Sequence, residues 1–189
     1  MTDLGLTPSQ TVGPYLHIGL LGGPFTNRLV DASDRRAIRV RGALLDGAGD
    51  PVPDGLVEVW QANAAGRYVH PADERGDVPL EDGFTGFGRA GTEASGRFEF
   101  VTLKPGPVPW PDGRLQAPHL LVGVFARGLL KRVATRMYFP DEEAANAEDP
   151  VLLGLDERQR KTLVAHPETD GLRFDIVLQG AGQTTFFAV

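Results

Sequence analysis

LVEVWQANAAGRYVH, residues 56–70, decides how the chain reads. Leu56, Glu58 and Trp60 alternate with Val57 and Val59, so the stretch opens as a strand with residues on two faces. Both faces are apolar apart from Glu58, which marks a mostly buried strand. Asn63-Ala64-Ala65-Gly66 is then turn chemistry. Tyr68 and His70 follow at once. A buried strand that hands a tyrosine and a histidine to the loop at its end can hold a site rigidly.

Outward from this stretch, period-2 alternation recurs. It runs through Ile38–Leu44, Phe98–Thr102 and Leu172–Leu178, and Arg132–Phe139 reads as a further strand. His119–Phe125, HLLVGVF, is continuously apolar and reads as a buried strand. Asp46–Asp50 is a hairpin loop. Residues 21–37 and 71–91 carry loop signals. Lys104–Trp110, KPGPVPW, holds three prolines and is excluded from the centre of a sheet. Asp141–Glu148 is helical in composition, and Asp156 with Gln159 starts a helix by capping-box logic, running through Leu163. About seven strands with short helices and long loops predict a mainly β fold, an antiparallel β-sandwich. Residues 1–15 predict no regular element, but Pro8 and Pro14 stiffen them. Tyr15–Leu20 follow as an apolar anchor, so residues 1–20 read as an arm and 21–189 as the domain.

Composition bounds the function. With 189 residues the chain is one domain with a sizeable core. There is no cysteine, which removes disulfides, thiolate metal sites and a cysteine nucleophile. A net charge of −6 without a basic stripe argues against nucleic acid. No apolar run approaches a membrane span, and no signal sequence opens the chain, so the expected setting is cytoplasmic.

GRYVH (66–70), KPGPVPW (104–110), APHLLVGVFARG (117–128), DGAGDPVPDGLVEVWQANAAGRY and the late TRMYFPDE occur in an order and spacing that resemble the intradiol ring-cleavage dioxygenases. The likeness covers roughly Arg39 to the C-terminus. TPSQTVGPYLHIGL together with FARG looks like the α chain of a two-chain member, as distinct from its iron-carrying β chain. The resemblance implies non-haem Fe(III) held by two tyrosinates and two histidines. Phenolate is a hard anionic donor suited to a hard ion, and imidazole suits iron.

Laid on this sequence, the family's ligand positions fall on Tyr68, Val108, His119 and Leu121. Two of these have no donor atom. The family's assisting arginine falls at Gln116 and its glutamine at Arg136. The remaining tyrosines and histidines (Tyr15, Tyr138, His17, His70, His166) do not complete a set. Tyr68 and His119 are therefore expected as hydrogen-bonded relics, His70 as a surface residue, and Trp60 and Trp110 as core or interface.

The resemblance thus implies a chain with no metal of its own, paired with a homologous iron-binding β subunit in a larger oligomer of αβ units. The implied reaction is cleavage of 3,4-dihydroxybenzoate by O2 to 3-carboxy-cis,cis-muconate, within aromatic catabolism through the β-ketoadipate pathway. The family's matching arm reaches the partner's pocket, which picks out Thr11, Gly13 and Pro14 as substrate-binding positions. The FARG arginine, Arg127, joins them. Two rivals stay open. One is a non-enzymatic β-sandwich binding or carrier module, since Val40–Val52 also suits such modules. The other is a self-sufficient dioxygenase with an altered metal site.

Overall fold

The computed structural model describes residues 5–23 and 26–188. Its strands are β1 (Ala37–Leu45), β2 (Leu56–Trp60), β3 (Phe87–Gly91), β4 (Arg97–Leu103), β5 (Val108–Pro109), β6 (Leu115–Gln116), β7 (His119–Phe125), β8 (Val133–Tyr138), β9 (His166–Glu168), β10 (Gly171–Arg173) and β11 (Ile176–Val177). Short helices α1 (Pro14–Leu21), α2 (Glu143–Glu148) and α3 (Glu157–Lys161) accompany them.

The strands form two main sheets. One runs β11-β1-β10-β9, with β4 also paired to β1; the other runs β3-β2-β7-β8. Val40, Leu44 and Phe100 from the first share one buried cluster with Val57, Val59, Leu120, Val122, Val124 and Met137 from the second. The period-2 pattern thus places one face of each sheet in a common core.

Most of the expected elements appear, and the departures have physical reasons. The chain's last strands pair with β1 in parallel, Val40 opposite Leu172 and Leu44 opposite Ile176. The chain first makes the α2–α3 excursion and the β9–β10 hairpin, a crossover long enough to return it in the direction of β1. Leu172–Leu178 is not one strand. It breaks between Arg173 and Ile176, and there the Asp175 carboxylate accepts the Ala43 N–H at 2.9 Å.

β3 lies in a segment read as loop. Its glycines hide the alternation, because other segments fill the space they leave, Gly88 on one face and Gly91 on the other. A side chain at Gly88 would meet Leu29 Cδ1 at 2.5 Å and Thr26 O at 2.7 Å; one at Gly91 would meet Leu21 Cδ1 at 2.5 Å and His17 Nε2 at 2.6 Å. The segment expected to be irregular ends as α1, with Pro14 in the first turn, where its missing N–H costs nothing. The arm boundary at residue 20 therefore falls inside a helix, and residues 1–4 lie outside the described residues. α3 has the expected capping box, Asp156 accepting from Gln159 N and Gln159 from Asp156 N, but its helix stops at Lys161. Among the described residues no helix is long and apolar enough to cross a membrane.

Candidate functional site

The site is built on the face of the β3-β2-β7-β8 sheet turned away from the core. Strand register decides who meets whom. Phe87, Trp60, Leu121 and Arg136 form one row across the four strands, and Arg89, Glu58, Gly123 and Ala134 form the next. Gly123 and Ala134 are small, so the second row leaves a hollow. Trp110 and Phe187 help wall it, and with the first row they enclose a cavity of about 570 Å³.

A second recess of about 630 Å³ lies beyond Trp60 and holds Tyr68, His70, Asp73, Val108 and Pro109. Two loops meet to form it. An added methyl at Gly66, where φ is +83°, would run into the carbonyl of Pro107, and one at Gly106 would meet Ala64 O at 2.7 Å. Both glycine N–H groups donate to Asn63 O at 2.9 Å. Only glycine permits this approach, and it brings Tyr68 beside Val108. The Tyr68 backbone N–H donates to Asp73 at 2.8 Å, and Arg75 clamps that carboxylate at 2.5 Å.

The four ligand-position residues thus divide. Tyr68 and Val108 share the second recess, Leu121 lines the first cavity, and His119 is buried at the neighbouring end of β7, its ring 5.6 Å from that of Tyr138. Arg136 links them. Its charge acts on Tyr68, His119 and Tyr138 alike. The guanidinium donates to Gln116 Oε1 at 2.8 Å and Tyr138 OH at 3.3 Å. Tyr138 donates onward to Asp149 Oδ1 at 3.1 Å. Asp149, fully buried, also accepts the Ala117, Val151 and Leu152 N–H groups at 2.8–2.9 Å.

Electrostatics hold the relics neutral. Burial pushes the Tyr68 phenol above its usual pKa against the opposing pull of Arg136 and Arg75. Burial first, and Arg136 second, depress His119 to about 4, despite the bond between its Nδ1 and Ala117 O at 2.7 Å. A ferric site needs the opposite conditions: ionised phenolates and a concentration of anionic donors. Here two positions are aliphatic, the phenol is favoured over phenolate, and a guanidinium reaches the same place. The residues do not fit an iron ion.

The substrate-binding positions expected on the arm sit elsewhere. Thr11 Oγ1 accepts the Gly128 N–H at 2.8 Å, so the arm folds back onto the turn that carries Arg127. Arg127 is 68% exposed and pairs with Asp54 at 3.6 Å. Gly13 precedes α1, with open space around its Cα, and Pro14 begins it.

Comparison with known proteins agrees with this architecture. A family model described as Dioxygenase matches residues 23–180. The protocatechuate 3,4-dioxygenase alpha chain of Pseudomonas putida is 43% identical over 198 residues, covering 96% of this chain and 95% of that one. The chain belongs to the intradiol ring-cleavage dioxygenase family. The beta chain of protocatechuate 3,4-dioxygenase from Burkholderia cepacia, another of its relatives, is 42% identical over 157 residues, 78% of this chain and 66% of that one. The dioxygenase domain of a dioxygenase–carbohydrate-binding fusion from Streptomyces sp. SirexAA-E superposes with a TM-score of 0.59 at 24% identity, covering 93% of this chain and 100% of that domain. That likeness speaks for the fold alone.

Within this intradiol scaffold, sequence reasoning missed what surrounds the relics. Trp60 and Trp110 wall the cavity and are only half-buried. The centre of the site is Arg136, noted only as a departure from the family pattern. The available signal was the phase of β8, which sets Arg136 on the same face as Tyr138.

Proposed function

We propose that this chain is the iron-free α chain of a heteromeric protocatechuate 3,4-dioxygenase, completing the substrate pocket of a homologous iron-binding β chain. The observation that carries the reading is full-length similarity to an alpha chain combined with aliphatic residues at two of four ligand positions. The reaction is the insertion of both atoms of O2 into 3,4-dihydroxybenzoate, opening the ring between its hydroxylated carbons to give 3-carboxy-cis,cis-muconate. Iron belongs to the partner, and this chain supplies binding and orientation.

Residues 1–20 form the arm that contacts the β chain. Leu6, Tyr15 and Ile18 are 100%, 82% and 68% exposed, an apolar surplus that an interface would cover. Thr11, Gly13 and Pro14 line the partner's pocket with Arg127, whose planar fork suits the substrate carboxylate. The bond from Gly128 N to Thr11 holds arm and arginine together in support of this role. The cytoplasm is the proposed setting.

Co-purification from the native host, with iron analysis and a ring-cleavage assay, tests the reading. The expected result is a complex with one iron per αβ pair and none on the isolated chain. Stoichiometric iron with ring cleavage by this chain alone would favour a self-sufficient enzyme. An iron-free chain with no catalytic partner would favour a binding module.

A further inference from the structure

The cavity walled by Trp60, Trp110, Leu121, Phe187 and Arg136 adjoins the relic ligand positions and is lined by one of them, Leu121. About 570 Å³ is within the range of small-molecule sites. Two indoles and two phenyl rings, those of Phe87 and Phe187, give flat apolar walls, and two cations, Arg132 and Arg136, reach the cavity from β8 and the turn before it. Arg136 is half-buried and donates only to neutral oxygens, Gln116 Oε1 and Tyr138 OH. Tyr138 stands between it and the buried Asp149 carboxylate. Arg132 crosses the same face over Gly123, its Cδ 3.1 Å from where a Cβ would stand. Among the described residues neither arginine makes an ion pair. The cavity's one acid, Glu58, is already held by Arg89 at 2.6 Å.

A partly desolvated guanidinium without a carboxylate partner is a prepared anion site. Apolar aromatic walls beside it favour an anion with a flat aromatic body over inorganic phosphate. We infer that this chain binds a small aromatic carboxylate in this cavity, beside its relic ligand positions, without metal and without turning it over. The ring lies between the indoles of Trp60 and Trp110, and the carboxylate takes the fork of Arg136. This goes beyond the proposed function: it concerns a ligand held by this chain itself, distinct from the partner's substrate.

The test exploits composition. The chain has two tryptophans, Trp60 and Trp110, and both line the cavity. Benzoate titrated into the purified full chain should change its tryptophan emission saturably, and uncharged benzyl alcohol should do so far more weakly. Arg136→Gln should weaken benzoate binding by about tenfold to a hundredfold, the range for a charge-assisted bond. Arg136→Lys should retain part of the affinity. Leu121→Trp, which fills the cavity and leaves the charge, should abolish binding, with circular dichroism reporting the fold. No saturable change in the native chain would overturn the inference. So would equal binding of benzoate and benzyl alcohol, or native affinity in either Arg136→Gln or Leu121→Trp. Where Arg136→Gln fails to fold, Leu121→Trp decides. The titration needs neither iron nor a partner, so its failure would leave the proposed function standing, and failure of co-purification would leave this site standing.

Discussion

Arg127→Ala should raise KM for 3,4-dihydroxybenzoate in the assembled complex and leave catechol nearly untouched. The present partner of Arg127 is Asp54, 3.6 Å away, with both side chains more than 60% exposed. Such a pair contributes about 0–1 kcal/mol. A charge-assisted bond to a substrate carboxylate in a drier pocket contributes about 1.5–3 kcal/mol. The substrate must displace Asp54, so the net loss on truncation is about 1–2 kcal/mol, roughly five- to thirtyfold in KM. Asp54 itself gives a second lever. It sits at φ +60°, a conformation asparagine also tolerates. Asp54→Asn should free the guanidinium and lower KM by up to about fivefold. Neither change should move thermal stability much, because both side chains are exposed and neither is packed. The assay is initial-rate oxygen uptake with the two substrates side by side. Catechol lacks the carboxylate, so misfolding would harm both substrates whereas a lost contact harms one. Equal losses for the two, or none for either, would refute the reasoning.

His119 gives a pH signature. Its folded pKa, about 4, lies below the ordinary 6.5, so between these values the unfolded chain binds the extra proton and stability falls as pH falls. The loss from pH 7 to pH 4 should approach 3 kcal/mol, and His119→Gln, measured by urea unfolding, should lack that component; parallel curves would refute it. Gly66→Ala should destabilise by more than about 2 kcal/mol, since φ is +83° and Pro107 O blocks the methyl, with thermal melting as the check. Removing residues 1–14 should leave the fold of the chain intact, as read by circular dichroism, while weakening turnover of 3,4-dihydroxybenzoate by the complex; unchanged kcat/KM would detach the arm from the pocket. The isolated chain should elute larger than a monomer, and Tyr15→Ser with Ile18→Ser should shift it toward monomer on a sizing column, because those side chains are 82% and 68% exposed.

The strands that could be read from the sequence are those whose alternation survives on its own. β1 and β4 show period 2, and β2 and β7 read as almost continuously apolar because one face of each enters the core and the other lines the cavity. β3 could not be read, since its alternation is supplied by Leu29, Thr26, Leu21 and His17 filling the places its glycines leave. The parallel return beside β1 was equally invisible, because direction is set by the path of the intervening segments and no local residue encodes it. At the site, sequence sufficed to set valine and leucine where donors are expected, since donor chemistry belongs to the residue type. Only the tertiary structure brought Phe87, Trp60, Leu121 and Arg136 into one row, from four strands separated along the chain. Cross-strand register made that row, and burial then kept Tyr68 and His119 neutral beside a guanidinium that local sequence places only on a strand.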